Sequence, residues 1–231
     1  MRYRTPETFA KPVRSYQSVT KRDASPTLTT TPAMSPLSRL HPLTQRDPLP
    51  MLKLVRQQWG GRSDLWIFGY ASLIWRPDFH VAEQRLAKVH GWHRALKMWS
   101  RVNRGTPATP GLVFALLSGG SCHGMVLRVS AAGADEVLER LWDREMVTGV
   151  YDPKWLHCST AQGPVRALAF TLSRSSPNFT GNLPERRYRQ IFSQATGRYG
   201  TTLDYARDTL HSLRQHGIRD RALEALLRHA P

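Results

Sequence analysis

Cysteine is scarce in this chain, since Cys122 and Cys158 are the two that occur among its 231 residues. Two cysteines are too few for a disulfide scaffold, so the sequence favours a protein of the reducing cytoplasm. Each cysteine stands beside a histidine, His123 or His157, but adjacent residues of a strand point to opposite faces. Because no CxxC or HxxxH spacing is present, the sequence predicts no metal site.

Long apolar runs are also missing. No stretch reaches the roughly 18 residues that a membrane span requires. The N-terminal region has no short apolar core of the kind that a secretory signal contains. We therefore expect neither a membrane segment nor a secretory signal.

Acidic residues are few: 17 Asp and Glu stand against 33 Lys and Arg, which gives a formal net charge of +16. The excess is spread along the chain and is mostly arginine. Without a dense basic helix or a repeated base-reading motif, nucleic-acid binding is not the expected main function. A positive field of this kind does attract a small anionic substrate.

Residues 1–50 differ in composition from the rest of the chain. They hold eight of the 16 prolines, 13 Ser or Thr, eight basic residues and three acidic ones, with no sustained periodicity. Such a segment has too little apolar surface to offset the entropy lost on folding. We predict a disordered tail over 1–50 and a folded domain over 51–231.

The stretch Leu65–Trp75 reads as a buried strand that opens into a loop. Its first four residues form an unbroken apolar run, typical of a strand buried on both faces, and the run ends at Gly69. The small residues Ala71 and Ser72 let a ligand approach the backbone closely. Consecutive N–H groups of such a loop can hold a polarised oxygen. A core strand with a tight turn is the alternative interpretation.

The segment Ala134–Met146 predicts an amphipathic helix. Its apolar stripe consists of Ala134, Val137, Leu138, Leu141 and Trp142. The next position of this stripe is Glu145, a carboxylate where an apolar residue is expected. Loss of hydration there raises the pKa of a carboxyl group, as a general acid/base near neutral pH requires. Alternatively, the helix ends at Glu145 and the carboxylate lies in solvent or pairs with an arginine.

Two glycine-containing stretches are predicted to form separate short strands. Residues 85–100 are expected as two pieces on either side of Gly91. Residues 112–117 and 123–129 are expected as the two strands of a hairpin, with its turn at Ser118–Ser121.

The remaining patterns complete the predicted fold. One short helix is expected at 51–58, two strands at 154–160 and 165–172, and three closing helices at 185–196, 202–216 and 221–229. Strands that come first and helices that come last indicate an α+β fold.

Four short motifs follow one another between Leu65 and the C-terminus. They are Phe68-Gly69-Tyr70-Ala71-Ser72-Leu73-Ile74-Trp75, Arg104-Gly105-Thr106-Pro107, Asp143-Arg144-Glu145, and Gly197-Arg198-Tyr199-Gly200-Thr201 with Asp204-Tyr205. In this order they resemble the FGYGSLIW signature, the RGTP loop, the helix-terminal RE and the bacterial tail of the ChaC-type γ-glutamylcyclotransferases. Residues 1–50 lie outside the resemblance.

The resemblance implies a small mixed β-barrel-like sheet with flanking helices. It also implies the cleavage of a γ-glutamyl peptide, chiefly glutathione, to 5-oxoproline and Cys-Gly, with no metal or organic cofactor. The family's catalytic acid/base corresponds to Glu145. The implied substrate-binding residues are Phe68, Gly69, Tyr70, Ala71, Ser72, Leu73 and Arg104. We expect a monomer that acts on a small molecule.

One position departs from the family signature: Ala71 stands where the signature has glycine. If the backbone needs a positive φ there, alanine costs about 1 kcal/mol or more, whereas a requirement for a small side chain is met. This departure bears on substrate preference more than on reaction class. Three functions stay open: cleavage of glutathione, cleavage of another γ-glutamyl peptide or amine, and, from the basic surface and tail, a non-enzymatic role as a nucleic-acid-binding protein.

Overall fold

The computed structural model describes residues 46–231. None of the helices in this part is long and apolar enough to cross a bilayer. Its elements are, in chain order, α1 Leu49–Trp59, β1 Leu65–Gly69, a 3₁₀ helix Ser72–Ile74, β2 Glu83–Ser100, β3 Gly111–Val129, α2 Ala131–Glu145, β4 Asp152–Thr160, β5 Gly163–Thr171, α3 Glu185–Gln194, β6 Thr196–Gly197, β7 Gly200–Thr201, α4 Thr202–Gln215 and α5 Arg221–Leu227.

The first five strands close into a barrel in the order β1-β3-β2-β4-β5. Strand β1 pairs antiparallel with β3 and parallel with β5, where Ile67 lies opposite Leu168. The sheet is therefore mixed. Almost fully buried core side chains include those of Phe68, Leu127 and Leu138. The α+β class and the barrel-like mixed sheet with flanking helices are both confirmed.

The two longest strands correct the prediction of four short ones. Strand β2 continues through Gly91, and β3 continues through Ser118–Ser121, so the predicted break and the predicted hairpin turn were wrong. Gly119 and Gly120 of β3 lie opposite Gly91 of β2 at a register shift. The φ angles of these glycines are 94°, 73° and 78°. Glycine adopts such angles without steric cost, and the result is a bulge that bends the strand pair without ending it.

Helix α1 begins at Leu49, inside the segment assigned to the tail by its composition. The segment just before this helix is anchored, because the guanidinium of Arg46 donates to the carbonyl oxygens of Gly149 and Tyr151, each at 2.7 Å. The same group pairs with Asp152 at 2.7 Å. The rest of the predicted tail, residues 1–45, lies outside the described residues.

Helix α2 places its C-terminal end beside the loop that follows β1. The predicted apolar stripe is buried. Within it, the indole of Trp142 packs edge-on against Phe170, with ring centroids 5.7 Å apart. The indole N–H also donates to the carbonyl oxygen of Pro48 at 2.9 Å. These contacts fix the helix on the barrel and so determine where Glu145, its last residue, lies.

Gly124 of β3 provides a test of the close packing between β3 and β1. A Cβ at this position would overlap the carbonyl oxygen of Gly69 and the ring of Phe68. We expect Gly124→Ala to lower the free energy of unfolding by about 1–3 kcal/mol, the usual cost of overpacking. Denaturant titration measures the difference.

Gly133→Ala is the matched control. A Cβ at Gly133 meets nothing within 4 Å, and the residue lies in the first turn of α2. Because alanine is the better helix former, this variant should gain up to about 1 kcal/mol. Equal stabilities of the two variants would contradict the packing described for Gly124.

Candidate active site

The loop that follows β1 presents a row of backbone N–H groups. The side chains of Leu73 and Ile74 are buried, and their packing holds the loop against the barrel. No acceptor within residues 46–231 meets the N–H groups of Ala71, Ser72 and Leu73. Consecutive N–H groups on a fixed backbone can receive an anionic or polarised oxygen.

The backbone of Ala71 settles the question raised by its departure from the family signature. Its φ is −145°, so the position does not require the left-handed conformation. The methyl group of Ala71 is buried. Alanine therefore fits here without the penalty that a positive φ would impose.

Tyr70 turns its side chain into the protein rather than toward solvent. Its hydroxyl donates to the carbonyl oxygen of Phe170 at 3.0 Å. Burial raises the pKa of Tyr70 well above its usual value, and the nearby Glu145 carboxylate adds to the rise. Burial also raises the pKa of Tyr151, with Tyr70 and Glu145 contributing. The site thus holds neutral phenols close to one carboxyl group.

Glu145 lies at the end of α2 with 17% of its side chain exposed, and its Oε1 is 3.1 Å from Nε of Arg144. Burial raises the pKa of Glu145. The adjacent Arg144 guanidinium opposes that rise, and the carboxylate of Asp78 adds to it. Features of both interpretations of the sequence are therefore present: the carboxyl group loses hydration, and it is also paired with an arginine.

The guanidinium of Arg144 connects Glu145 to the loop after β1. Its Nη2 donates to the hydroxyl oxygen of Ser72 at 3.1 Å. Its Nη1 pairs with Asp78 at 2.7 Å and also donates to the carbonyl oxygen of Arg76. One planar group thus holds the carboxyl end of α2 and the start of the 3₁₀ helix together.

The loop that carries Arg104 joins β2 to β3 and packs against the β6–β7 hairpin. The N–H groups of Arg198 and Tyr199 donate to the carbonyl oxygens of Val102 and Asn103, at 2.8 and 2.9 Å. A Cβ at Gly197 would overlap backbone atoms of this loop, which explains the glycine. Two of the four motifs thus meet in space although they are far apart in the chain.

The side chain of Arg104 packs on Tyr205, which lies near Glu145. Its guanidinium lies over the Tyr205 ring, 4.9 Å from the centroid, and donates to the carbonyl oxygen of Tyr199. Burial lowers the pKa of Arg104. Burial raises the pKa of Tyr205, and the charge of Glu145 contributes to that rise. Arg104 and Glu145 are therefore both close to the same phenol.

The structure adds Tyr151 and Tyr205 to the residues near Glu145, beyond the roles that the sequence assigned. Tyr151 follows the turn after α2, and no periodicity marks it. Tyr205 lies on the buried face of α4, where its spacing suggests only a core residue. The family motif that contains Tyr205 was the one signal that could have indicated its position.

The two cysteines form no disulfide, and the nearby Cys122 thiol contributes to the raised pKa of Tyr70. Cys122 and Cys158 are both free and buried. Burial raises the pKa of Cys158 to about 12. Within residues 46–231, no three His, Cys, Asp or Glu side chains are grouped as a metal site would need.

The chain and its fold are similar to those of known proteins. This chain belongs to the ChaC-like protein family, whose model matches residues 65–230. It is 32% identical to a glutathione-specific gamma-glutamylcyclotransferase of Escherichia coli, over 71% of each chain. It is also 32% identical to glutathione-specific gamma-glutamylcyclotransferase 1 of Homo sapiens, over 71% of this chain and 76% of that one.

A solved structure shows the same fold. It is a gamma-glutamyl cyclotransferase specific to glutathione from yeast, which superposes with a TM-score of 0.66. The superposition covers 72% of this chain and 95% of the yeast chain, at 22% sequence identity.

The raised pKa of Glu145 predicts a pH-dependent stability difference. In the unfolded chain this carboxyl group ionises near its ordinary pKa of 4.5, whereas burial makes the ionised form costly in the folded protein. Its ionisation therefore lowers stability as the pH rises through the folded-state pKa. The free energy of unfolding of Glu145→Gln, relative to that of the wild type, should therefore increase from pH 4 to pH 7. Denaturant titration at each pH measures it.

The pH-dependent slope is the quantity to compare, because the substitution also changes the contacts of the uncharged side chain, and that change adds an offset that does not vary with pH. Asp143→Asn removes an exposed carboxylate from the same helix and should show no comparable slope. A stability gain of Glu145→Gln that shrinks toward pH 7 would contradict the raised pKa.

Proposed function

We propose that this protein is a γ-glutamylcyclotransferase that cleaves glutathione to 5-oxoproline and Cys-Gly. The observation that carries the proposal is the placement of Glu145 and the loop after β1 on one guanidinium, that of Arg144. The relatives from Escherichia coli and Homo sapiens are named glutathione-specific gamma-glutamylcyclotransferases, which supports glutathione as the substrate.

The proposed reaction is an intramolecular aminolysis. The α-amine of the γ-glutamyl group attacks its own γ-carbonyl carbon, and a five-membered ring closes. The C–N bond to the cysteine nitrogen then breaks and releases Cys-Gly. Because the substrate supplies the nucleophile, the steps need no water, enzyme nucleophile, metal or organic cofactor. Holding amine and carbonyl together can lower the barrier by about 7–11 kcal/mol at best.

Glu145 is the proposed general acid/base. Its carboxylate takes a proton from the α-ammonium group, which frees the lone pair for attack. The resulting carboxylic acid then protonates the departing nitrogen, so Glu145 returns to its starting state. The ring nitrogen, which is cationic after the attack, gives its second proton to the released amine, so the products are the neutral lactam and the ammonium form of Cys-Gly. A carboxyl group whose pKa is raised toward the working pH is suited to both transfers.

The N–H groups of Ala71, Ser72 and Leu73 are the proposed receptor for the developing oxyanion. One such donor typically contributes about 3–4 kcal/mol to transition-state stabilisation. Phe68 and Gly69 end the strand that fixes this loop, and Tyr70 anchors it through Phe170. Arg104 is the proposed partner of a substrate carboxylate, since a guanidinium matches that group in shape and charge.

The oligomeric state and the location of the protein are proposed as follows. The protein is proposed to act as a monomer. The two free thiols are compatible with the reducing cytoplasm. The substrate is anionic, and the net charge of +16 favours its approach.

The release of 5-oxoproline from glutathione by the purified protein tests the reaction. Glu145→Gln keeps the size of the side chain but removes its proton transfer, so we expect kcat to fall by about 10²–10⁴-fold. Asp143→Asn, on the exposed face of the same helix, should leave kcat unchanged. Undiminished turnover by Glu145→Gln would remove Glu145 from the mechanism.

A panel of γ-glutamyl peptides and amines separates the substrate from the reaction class. Turnover of another γ-glutamyl compound without turnover of glutathione would preserve the reaction and overturn the proposed substrate. No 5-oxoproline from any of them would contradict the proposed function.

Arg104→Lys tests the carboxylate contact. Lysine keeps the charge but loses the planar group that lies over Tyr205, so KM for glutathione should rise about tenfold with little change in kcat. Arg198→Lys, an exposed arginine of the adjoining hairpin, should behave like the wild type. An unchanged KM for Arg104→Lys would assign the substrate carboxylate to other groups.

A further inference from the structure

Arg94 of β2 and Asp220 form a nearly buried ion pair, with 4% and 14% of their side chains exposed. Nη2 and Nε of Arg94 donate to the same carboxylate oxygen of Asp220 at 2.7 and 2.9 Å. Asp220 is also the N-cap of α5, because its other oxygen accepts the N–H of Leu223 at 2.9 Å. The last helix of the chain is thus joined to the barrel by this pair.

The remaining nitrogen of Arg94 contacts the candidate active site. Nη1 donates to the carbonyl oxygen of Tyr70 at 2.8 Å and to that of His123 at 3.0 Å. The guanidinium therefore spans α5, β3 and the loop after β1.

The contact with the Tyr70 carbonyl oxygen has a direct consequence for Ala71. The carbonyl group of Tyr70 and the N–H group of Ala71 belong to one planar trans peptide unit and point in opposite directions. When Arg94 holds the carbonyl oxygen, it also fixes the direction of the Ala71 N–H. No acceptor within residues 46–231 meets this N–H, which is one of the proposed oxyanion donors.

Arg94 depends on Asp220 for its burial. A guanidinium taken out of water loses hydration, which only a paired charge and hydrogen bonds offset. Such a pair is commonly no more stabilising than apolar residues of the same volume, so stability alone does not account for it. The pair contacts α5 at one end and the loop after β1 at the other, and this geometry is suited to positioning the loop.

We propose that Asp220 is a positioning residue that orients the Ala71 N–H through Arg94, so that the C-terminal helix sets the rate of cyclisation. The inference rests on the proposed function of the loop. It makes Asp220, 75 positions beyond Glu145 in the sequence, a determinant of kcat without any contact with substrate.

Asp220→Asn in the full-length protein tests the inference. Asparagine caps a helix about as well as aspartate, so α5 keeps its N-cap while the charge that faces Arg94 is removed. We expect kcat for glutathione to fall by roughly 10- to 100-fold with little change in KM, because a misdirected N–H weakens transition-state binding more than substrate binding. Backbone amide exchange should also become faster at Ile74 and Arg76, whose N–H groups donate to the carbonyl oxygens of Ala71 and Ser72 at 2.9 and 2.8 Å.

Glu224→Gln is the matched control. It breaks another ion pair of the same helix, that of Glu224 with Arg214 at 2.9 Å. Within residues 46–231, Glu224 makes no hydrogen bond to the loop. Its kcat and amide exchange should equal those of the wild type. Arg94→Lys adds a second test, because in the Asp220→Asn background it should cost less kcat than it costs alone.

Each outcome decides the inference. Assays are run at a temperature where thermal melts show every variant to be folded. Wild-type kcat and wild-type amide exchange in Asp220→Asn, even with a lowered melting temperature, would leave the pair a purely structural role and overturn the proposal. If the wild type itself releases no 5-oxoproline, the proposed function fails, while the amide exchange still tests whether Asp220 orders the loop.

Discussion

The guanidinium of Arg144 is the contact on which the candidate site depends. It lies 3.1 Å from the Glu145 carboxylate and 3.1 Å from the Ser72 hydroxyl, with Asp78 at 2.7 Å in a third direction. Burial and pairing act on Glu145 in opposite senses, and burial is the larger effect, so the pKa of the carboxyl group is raised. A carboxyl group in this balance is held in place and can still exchange a proton.

The barrel explains how groups distant in the chain reach that guanidinium. Strand β1 is hydrogen-bonded on both sides, to β3 and β5, and it delivers the loop from a fixed backbone. Helix α2 packs on the barrel through Trp142, which fixes the position of Glu145. The loop between β2 and β3 is hydrogen-bonded to the β6–β7 hairpin, and these bonds fix the position of Arg104. These supports all belong to one packed barrel, and a framework of that kind is what orientation catalysis requires.

Local patterns in the sequence were sufficient to predict the burial of the Glu145 carboxyl group at the end of its helix, the buried strand before Gly69 and the α+β class, because each depends on nearby residues. They failed at Gly119 and Gly120, since only the partner strand decides whether two glycines make a turn or a bulge. The Arg94–Asp220 pair joins residues 126 positions apart, and no spacing could indicate it. Likewise, composition assigned residues 46–50 to the tail, whereas the contacts of Arg46 are made with residues beyond α2.

A crystal structure of the protein with 5-oxoproline bound would test the central claim most directly. The account predicts that the ring carbonyl oxygen accepts from the N–H groups of Ala71 and its neighbours. It also predicts that the ring nitrogen lies within about 3.2 Å of the Glu145 carboxyl group, or one water molecule away. A product ring bound elsewhere, or bound at the loop with Glu145 out of reach of the nitrogen, would contradict it.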